Sequence, residues 1–211
     1  LFLFDADWLI GHLREVGGLN LIISSFLTQF FKFPIVGAIV TTIIYFAIIL
    51  CINKLISSVV ESKSFNPLTL IPVGFMVLCI EDPFYGYRGH VAMAIGMAAV
   101  IAYQRVIQQK DKYETVIALA FSIVLYELFG AIALLFDSLI LAIALLNKRK
   151  AIAALIATTA TLLCCFAATV SGQFISMAEA TLPTQYYNWP TPYRTMLFAW
   201  LAIPGILILV K

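Results

Sequence analysis

Charged residues are scarce in this chain, and their scarcity already restricts its class. Of the 211 residues, 11% are charged and 63% are hydrophobic, and the mean hydropathy is +1.01. Because about a quarter of the residues of a soluble domain are charged, these values exclude an ordinary soluble protein. The formal net charge of +2 is too small to indicate a nucleic-acid partner. The composition predicts an all-α, polytopic integral membrane bundle whose partner is the lipid bilayer.

Cysteine, histidine and the common catalytic motifs are also sparse. The four cysteines lie in apolar runs, where a thiol behaves as a small hydrophobic group, so we expect no disulfide. His12 and His90 are the only histidines, which argues against a zinc site built on imidazole. The sequence has no glycine-rich phosphate loop, no His-Glu-x-x-His helix, no Cys-x-x-Cys pair and no Gly-x-Ser-x-Gly elbow. Nucleotide-binding, redox and serine-hydrolase classes therefore receive no support from motifs.

Apolar segments account for most of the chain. A helix needs about 20 apolar residues to cross the ~30 Å hydrocarbon core of a bilayer. We expect residues 1–33 to hold the end of a preceding span and two outer juxtamembrane helices, so that the chain is a fragment of a longer protein. Residues 34–211 are then the membrane bundle. Its predicted spans are 34–53, 67–80, 91–107, 115–128, 131–146, 151–170 and 195–210.

The stretch 115–146 is ambiguous, because a single helix of that length would be roughly 48 Å long, too long for one span and too short for two full spans. Lysine and arginine accumulate on cytoplasmic loops. A hairpin that turns near residues 127–130 places nine of them inside and four outside, whereas a single crossing gives six against seven. The charge distribution therefore favours a re-entrant or short-helix pair.

Two short segments before the first long span are amphipathic. Between Leu19 and Phe31 apolar residues recur at helical spacing, with polar residues on the other face, and residues 5–16 form a shorter version. Gly17 and Gly18 separate the two. We expect both helices to lie flat in the outer interface. Small residues at every fourth position, in 94–102 and 153–169, predict helix-packing faces.

Glu127 and Asp137 are the two carboxylates inside apolar runs, so each should face protein or water rather than lipid. Such intramembrane carboxylates are functional candidates. The alternatives are that Glu127 lies high enough to be hydrated, and that Asp137 is protonated or caps a kink.

The loop 81–90 is the densest polar and aromatic cluster in the chain. Its Glu81, Asp82, Arg88 and His90, together with Glu127 from the hairpin turn, are candidate substrate-binding residues around an outer depression left by the short spans. They could bind a divalent metal, a phosphate or a sugar. They could equally pair with one another.

Asp5 and Asp7 lie immediately before the first surface helix, where acids are in any case favoured by the helix dipole. A span, a short acidic motif and paired juxtamembrane helices resemble the layout of integral-membrane glycosyltransferases that use polyprenyl-linked sugars. That resemblance implies that Asp5 or Asp7 is the general base on an acceptor hydroxyl. It also implies that Glu81, Asp82 or Arg88 helps to hold the donor phosphate or its metal.

Two further motifs carry a second resemblance. The segments 17–19 and 26–31, followed by Pro34, and the turn 125–130 are similar to those of an uncharacterised bacterial family of multi-spanning membrane proteins, known as a domain of unknown function. This resemblance implies a multi-pass protein of the bacterial inner membrane and implies no activity.

Three functions follow as alternatives. The first is an outward-facing transferase acting on a lipid-linked sugar, in which Asp5, Asp7 and the acids of the loop 81–90 converge. The second is an ion- or proton-coupled transporter, with Glu127 and Asp137 on one water-filled path. The third is a membrane anchor or scaffold for a soluble domain outside this segment, with every carboxylate locally paired or solvated.

Overall fold

The computed structural model describes residues 5–60, 64–81, 85–109, 111–147, 151–187 and 194–211. Within these ranges the chain is helical and has no β-strand; Tyr85 and Tyr187 form one isolated antiparallel bridge. The predicted all-α class is confirmed. Asp82 lies outside the described residues.

Ten α-helices are present in the described ranges. Three of them, Pro34–Val60, Arg88–Gln109 and Ile152–Val170, are long and apolar enough to cross a membrane by length and composition. Their bounds, in chain order, are α1 Ala6–Leu13, α2 Gly18–Thr28, α3 Pro34–Val60, α4 Leu70–Ile80, α5 Arg88–Gln109, α6 Glu114–Phe129, α7 Ile132–Leu146, α8 Ile152–Val170, α9 Met177–Thr181 and α10 Arg194–Leu209. Short 3-10 segments cover Gln29–Lys32, Pro67–Thr69, Asp111–Tyr113 and Pro183–Tyr186.

The stretch 115–146 forms two helices, as the charge distribution favours. Helix α6 ends at Phe129, and Gly130 reverses the chain with φ +79° and ψ −145° before α7 begins. Glu114, at the start of α6, and Asn147, after α7, line the same cavity, so the hairpin returns to the end it left. We call the two ends of the bundle the Gly130 end and the Asn147 end.

The bundle core is apolar and close-packed. The main helix pairs are α6 with α8, α10 with α4, and α3 with α5. On α8 the small-residue face is buried at Ala153, Ala157 and Cys165, which confirms that packing prediction. On α5 the prediction is wrong for Ala98 and Ala102, which are exposed. The larger side chains of α5 pack inward instead, because burying them removes more apolar surface from water or lipid contact than an alanine can.

Helix α2 packs part of its polar side inward together with the apolar Leu19 and Ile23, while the polar Thr28 is exposed. Asn20 and Ser24 are buried, while Phe26 and Phe30 are exposed. The partners of α2 are α5 and α6, so this polar face contacts protein rather than water. The amphipathic pattern correctly predicted two faces but did not predict which one the bundle would cover.

Replacing Gly130 with alanine tests the turn that joins α6 and α7. Its positive φ and its ψ form a conformation that few residues other than glycine adopt, and an added Cβ would overlap Oε1 of Gln185. We expect Gly130→Ala to lower the free energy of unfolding by about 1–3 kcal/mol or more, measured by thermal melting in detergent. Gly74→Ala is the matched control, since a Cβ there meets nothing within 4 Å. Equal melting of both variants would contradict the role of Gly130.

Candidate functional site

A small cavity lies at the Gly130 end and is the best candidate for a binding site. Its volume is about 60 Å³. It is enclosed by α2, the start of α5, the hairpin turn, the segment after α8 and the 3-10 segment Pro183–Tyr186. The residues that line it are Val16, Gly17, Asn20, Arg88, Phe129, Phe174, Gln185 and Tyr186.

Side chains from outside the hairpin fix the wall of this cavity. Gln185 Oε1 accepts a hydrogen bond from the Ala131 amide (2.9 Å), and its Nε2 donates to the Ala180 carbonyl (2.7 Å). The Tyr186 hydroxyl accepts from the Ile132 amide at 3.0 Å and donates to the Phe129 carbonyl at 3.1 Å. Three of these bonds pair backbone groups that the turn leaves without helical partners, and the bond to Ala180 ties Gln185 to α9. The hairpin turn is therefore a rigid part of the site.

The Gly17 amide adds a contact from the N-terminal side. It donates to the Glu127 carbonyl at 2.9 Å, and Gly17 itself has φ +76°. An added Cβ on Gly17 would meet backbone atoms of Gly130 at 3.6 Å. The break between α1 and α2, predicted from Gly17 and Gly18, thus contacts the hairpin directly.

Asn20 and Arg88 supply the polar chemistry of the cavity. Asn20 is 1% exposed, and its Nδ2 donates to the Arg88 carbonyl at 3.1 Å. Its Oδ1 is buried without a hydrogen-bond donor in the described part of the chain. Exchanging the amide oxygen and nitrogen would set Oδ1 against another carbonyl, so this orientation is the favoured one. The half-buried Arg88 adds a positive charge at the same wall.

His90 lies in an aromatic cluster beside the cavity rather than in its lining. Its Nε2 is 2.7 Å from the Tyr45 hydroxyl, and its ring stacks on Tyr87 with centroids 5.2 Å apart. Tyr85 meets the same ring edge-on at 5.1 Å. Burial raises the pKa of the Tyr85 and Tyr87 hydroxyls above the ordinary value, so both phenols stay neutral at physiological pH. The contacts of His90 described here are thus with tyrosine side chains.

Asp137 is the centre of a second polar feature. The side chain is fully buried and bonded to hydroxyls of two other helices: Ser122 Oγ on α6 donates to Oδ1 at 2.5 Å, and Thr161 Oγ1 on α8 donates to Oδ2 at 2.7 Å. Asp137 therefore faces protein, one of the two settings that the sequence predicts. It lies inside α7 and caps no helix end.

The remaining predicted site residues are exposed. Asp5 precedes α1, Asp7 is in its first turn, and α1 buries none of its residues. Glu81 is exposed after α4, and the Glu127 side chain is exposed on the last turn of α6. Among the described residues no group of three or more histidine, cysteine, aspartate or glutamate side chains could hold a metal ion. Of the predicted residues that the structure describes, Arg88 alone lines the cavity.

Sequence reasoning missed Asn20, Gln185 and Tyr186. Asn20 belongs to the polar side of an amphipathic segment, where an amide looks like an ordinary solvated residue. Gln185 and Tyr186 follow Pro183 in a loop rich in aromatic residues, which is typical of a membrane interface. Ser122 and Thr161 carried a weak signal, since each interrupts an apolar helix.

Truncating Asp137 tests the three-helix contact. Asp137→Ala removes both hydrogen bonds and leaves a void, so we expect a loss of about 1–3 kcal/mol in the free energy of unfolding. Asp137→Asn keeps the shape and polarity of the side chain and should lose less than half as much. Ser138→Ala is the control on the same helix, because Ser138 bonds only the Leu135 carbonyl of its own helix at 2.8 Å. If Asp137→Ala and Ser138→Ala had the same melting temperature, the three-helix contact of Asp137 would be contradicted.

Comparison with known proteins gives one match. The model of a family of unknown function, DUF6057, matches residues 1–211. No curated protein and no solved structure matches the chain.

Proposed function

The chain belongs to DUF6057, a family of unknown function, and we propose that it is a multi-pass membrane transferase that acts on a lipid-linked sugar. The Gly130-end cavity receives the phosphate and the adjoining sugar hydroxyls of the lipid carrier. The observation that carries the proposal is that one cavity is lined both by Arg88 and by Asn20, whose buried Oδ1 has no donor among the described residues.

Exposed apolar side chains support the membrane setting. They cover the outward faces of α3, α8 and α10, where contact with water would cost about 25 cal/mol for each Å². A surface of this kind is stable in contact with lipid chains. Its larger members are Ile35, Ile39, Ile43, Phe46, Leu50, Leu155, Leu163, Phe166, Phe198, Leu201 and Leu209. A bacterial inner membrane is the location that the family resemblance implies.

The charge distribution along the sequence supports an outward Gly130 end. By the predicted topology, nine of the 13 lysine and arginine residues lie in connections or near helix ends on the side to which the hairpin 115–146 returns. Such segments are cytoplasmic by the positive-inside rule. The cavity then opens to the outer interface, where lipid-linked sugars present their head groups.

The polar groups of the cavity match a sugar phosphate. A guanidinium donates several charge-assisted hydrogen bonds to phosphate oxygens. Asn20 Oδ1 accepts from a hydroxyl, and a buried acceptor without a donor costs free energy until one arrives. The volume of about 60 Å³ suits a phosphate group and neighbouring hydroxyls rather than a lipid tail. The exposed Phe26, Phe30 and Phe33 provide an apolar surface for the polyprenyl chain.

The transfer step assigns Asp5 or Asp7 as general base. The carboxylate takes the proton of an acceptor hydroxyl, whose oxygen forms a bond to the anomeric carbon of the sugar. The bond from that carbon to the phosphate oxygen breaks, and the lipid phosphate leaves with the electron pair. Arg88 stabilises the charge on that leaving group. Helix α1, which carries Asp7, packs on α2, one wall of the cavity.

A transporter that uses Glu127 and Asp137 together receives less support. Glu127 is exposed at the Gly130 end, whereas Asp137 is fully buried between three helices. The two carboxylates therefore have different surroundings.

Arg88→Gln tests the head-group site. Losing charge-assisted bonds to a phosphate costs about 1.5–3 kcal/mol, so binding of a short-chain polyprenyl phosphate should weaken about tenfold or more. The measurement is ligand titration in nanodiscs followed by native mass spectrometry. Arg105→Gln, an exposed arginine at the other end of the same helix, should bind as wild type does.

A matched ligand separates head-group recognition from nonspecific insertion of the chain. The uncharged polyprenol of equal length should bind wild type weakly and should not distinguish Arg88→Gln from wild type. Equal affinity of wild type for the alcohol and the phosphate would contradict the proposed phosphate site. Arg88→Lys, which keeps the charge, should recover part of the binding.

Asp7→Asn and Asp5→Asn test the general base. Removing a general base lowers a transfer rate by about 10²–10⁴, so one of the two variants should lose transfer and keep polyprenyl phosphate binding. The measurement is release of polyprenyl phosphate from a radiolabelled lipid-linked sugar in membranes. Glu15→Gln, an exposed acid beyond α1, is the control. Full turnover in both aspartate variants would show that neither residue is the base.

A further inference from the structure

A second cavity lies at the Asn147 end and leads toward Asp137. Its volume is about 120 Å³, twice that of the Gly130-end cavity. Half a dozen polar side chains from α3, α5, α6 and the end of α7 reach it. They are Ser58, Tyr103, Gln104, Gln108, Glu114 and Asn147. A polar cavity of this size holds several water molecules.

Two residues in the wall of this cavity are related to Asp137: Ile140 is near it on the same helix, and Tyr103 contacts its sequence neighbour Phe136. Ile140 lines the cavity and follows Asp137 by three residues on α7, a rise of roughly 4.5 Å along the helix. Tyr103 also lines it, and its ring meets Phe136 at 5.6 Å and Phe121 at 6.1 Å between centroids. Phe136 and Phe121 directly precede Asp137 and Ser122. The cavity wall therefore includes a residue one helical turn from Asp137, and the packed rings of Tyr103, Phe121 and Phe136 adjoin it.

The hydrogen bonds of Asp137 suit a group that gains and loses a proton. As a carboxylate, it accepts the hydroxyl hydrogens of Ser122 and Thr161. As a neutral acid, it can donate its own hydrogen to Ser122 Oγ, whose hydrogen then goes to the Ala118 carbonyl at 2.9 Å. Thr161 has the same alternative, the Ala157 carbonyl at 3.2 Å. Every group remains paired in both states.

The other titratable groups around Asp137 do not neutralise it. On α8 the nearest is Cys165, one turn beyond Thr161, and on α6 it is Tyr126, which faces Cys165. Tyr103 of α5 contacts the neighbouring Phe136. Helix α10, which also packs on α7, has no titratable side chain between Thr195 and Leu209. None of these groups is cationic, so a buried carboxylate here is costly and the neutral acid is favoured.

We propose that Asp137 is a proton-binding site supplied through the Asn147-end cavity. Water in that cavity delivers hydronium, the Asp137 carboxylate takes the proton to become a carboxylic acid, and water remains. Rotation of the Tyr103, Phe121 and Phe136 rings opens the path. Protonation strengthens the contact between α6, α7 and α8 by removing an uncompensated charge. This site is independent of the Gly130-end cavity and of any transfer reaction there.

Infrared spectroscopy of the whole chain in nanodiscs tests the proposal. A carbonyl band of a protonated carboxylic acid should be present in wild type and absent from Asp137→Asn. On transfer to deuterated buffer the band should shift, and the rate of that shift reports access of water to the site. Gln108→Trp adds a bulky side chain at an exposed position of the cavity wall, so the variant should fold and exchange several-fold more slowly. Ala144→Phe fills the buried part of the same wall and should slow exchange as well.

Ala102→Phe is the matched control, because Ala102 is exposed on α5 and does not line the cavity. It should exchange at the wild-type rate. Absence of an Asp137-dependent acid band would overturn the proposal. An exchange rate unchanged in both Gln108→Trp and Ala144→Phe, or slowed equally in the control, would overturn the access path. Neither result bears on polyprenyl phosphate binding at Arg88.

Discussion

The reversal of the chain at Gly130 is the constraint on which the rest of the structure depends. A hairpin turn between two apolar helices leaves carbonyl and amide groups without helical partners, and these groups are costly to bury unpaired. Gln185 and Tyr186 pair four of the backbone groups around the turn and the adjoining segment, and the Gly17 amide pairs the Glu127 carbonyl. The turn thereby brings Gly17, Gln185 and Tyr186, which are far apart in the sequence, together at the Gly130 end of the bundle.

Both polar features follow from that assembly. The cavity with Asn20 and Arg88 exists because α2 and the 3-10 segment Pro183–Tyr186 close over the turn. Asp137 meets Ser122 because α6 and α7 run back to back from the same turn, and Thr161 completes the contact from α8. A single reversal thus sets the position of both the Gly130-end cavity and the buried Asp137 contact.

Much of the secondary structure could be predicted from local patterns. Apolar runs and the distribution of lysine and arginine predicted the helices and the hairpin, and Gly17 and Gly18 predicted the break between α1 and α2. The candidate site was predicted less well. Arg88 lines the cavity, but His90 packs among tyrosines and the exposed Asp5, Asp7 and Glu81 show no convergence that the structure describes. The type of a polar residue shows that it is a candidate for a binding site. Whether it lines a cavity depends on which helix packs against it.

The amino-acid sequence by itself determined the helical class and the apolar character, since these follow from composition and helical periodicity within single segments. Only the tertiary structure decided that Asn20 and Ser24 of α2 turn inward, that Asn20 Oδ1 has no donor among the described residues, and that Ser122 and Thr161 are the partners of Asp137. The physical reason is that such contacts join residues 15 to 68 positions apart. Contacts of that kind depend on which helix faces pack together, and no local repeat encodes that choice.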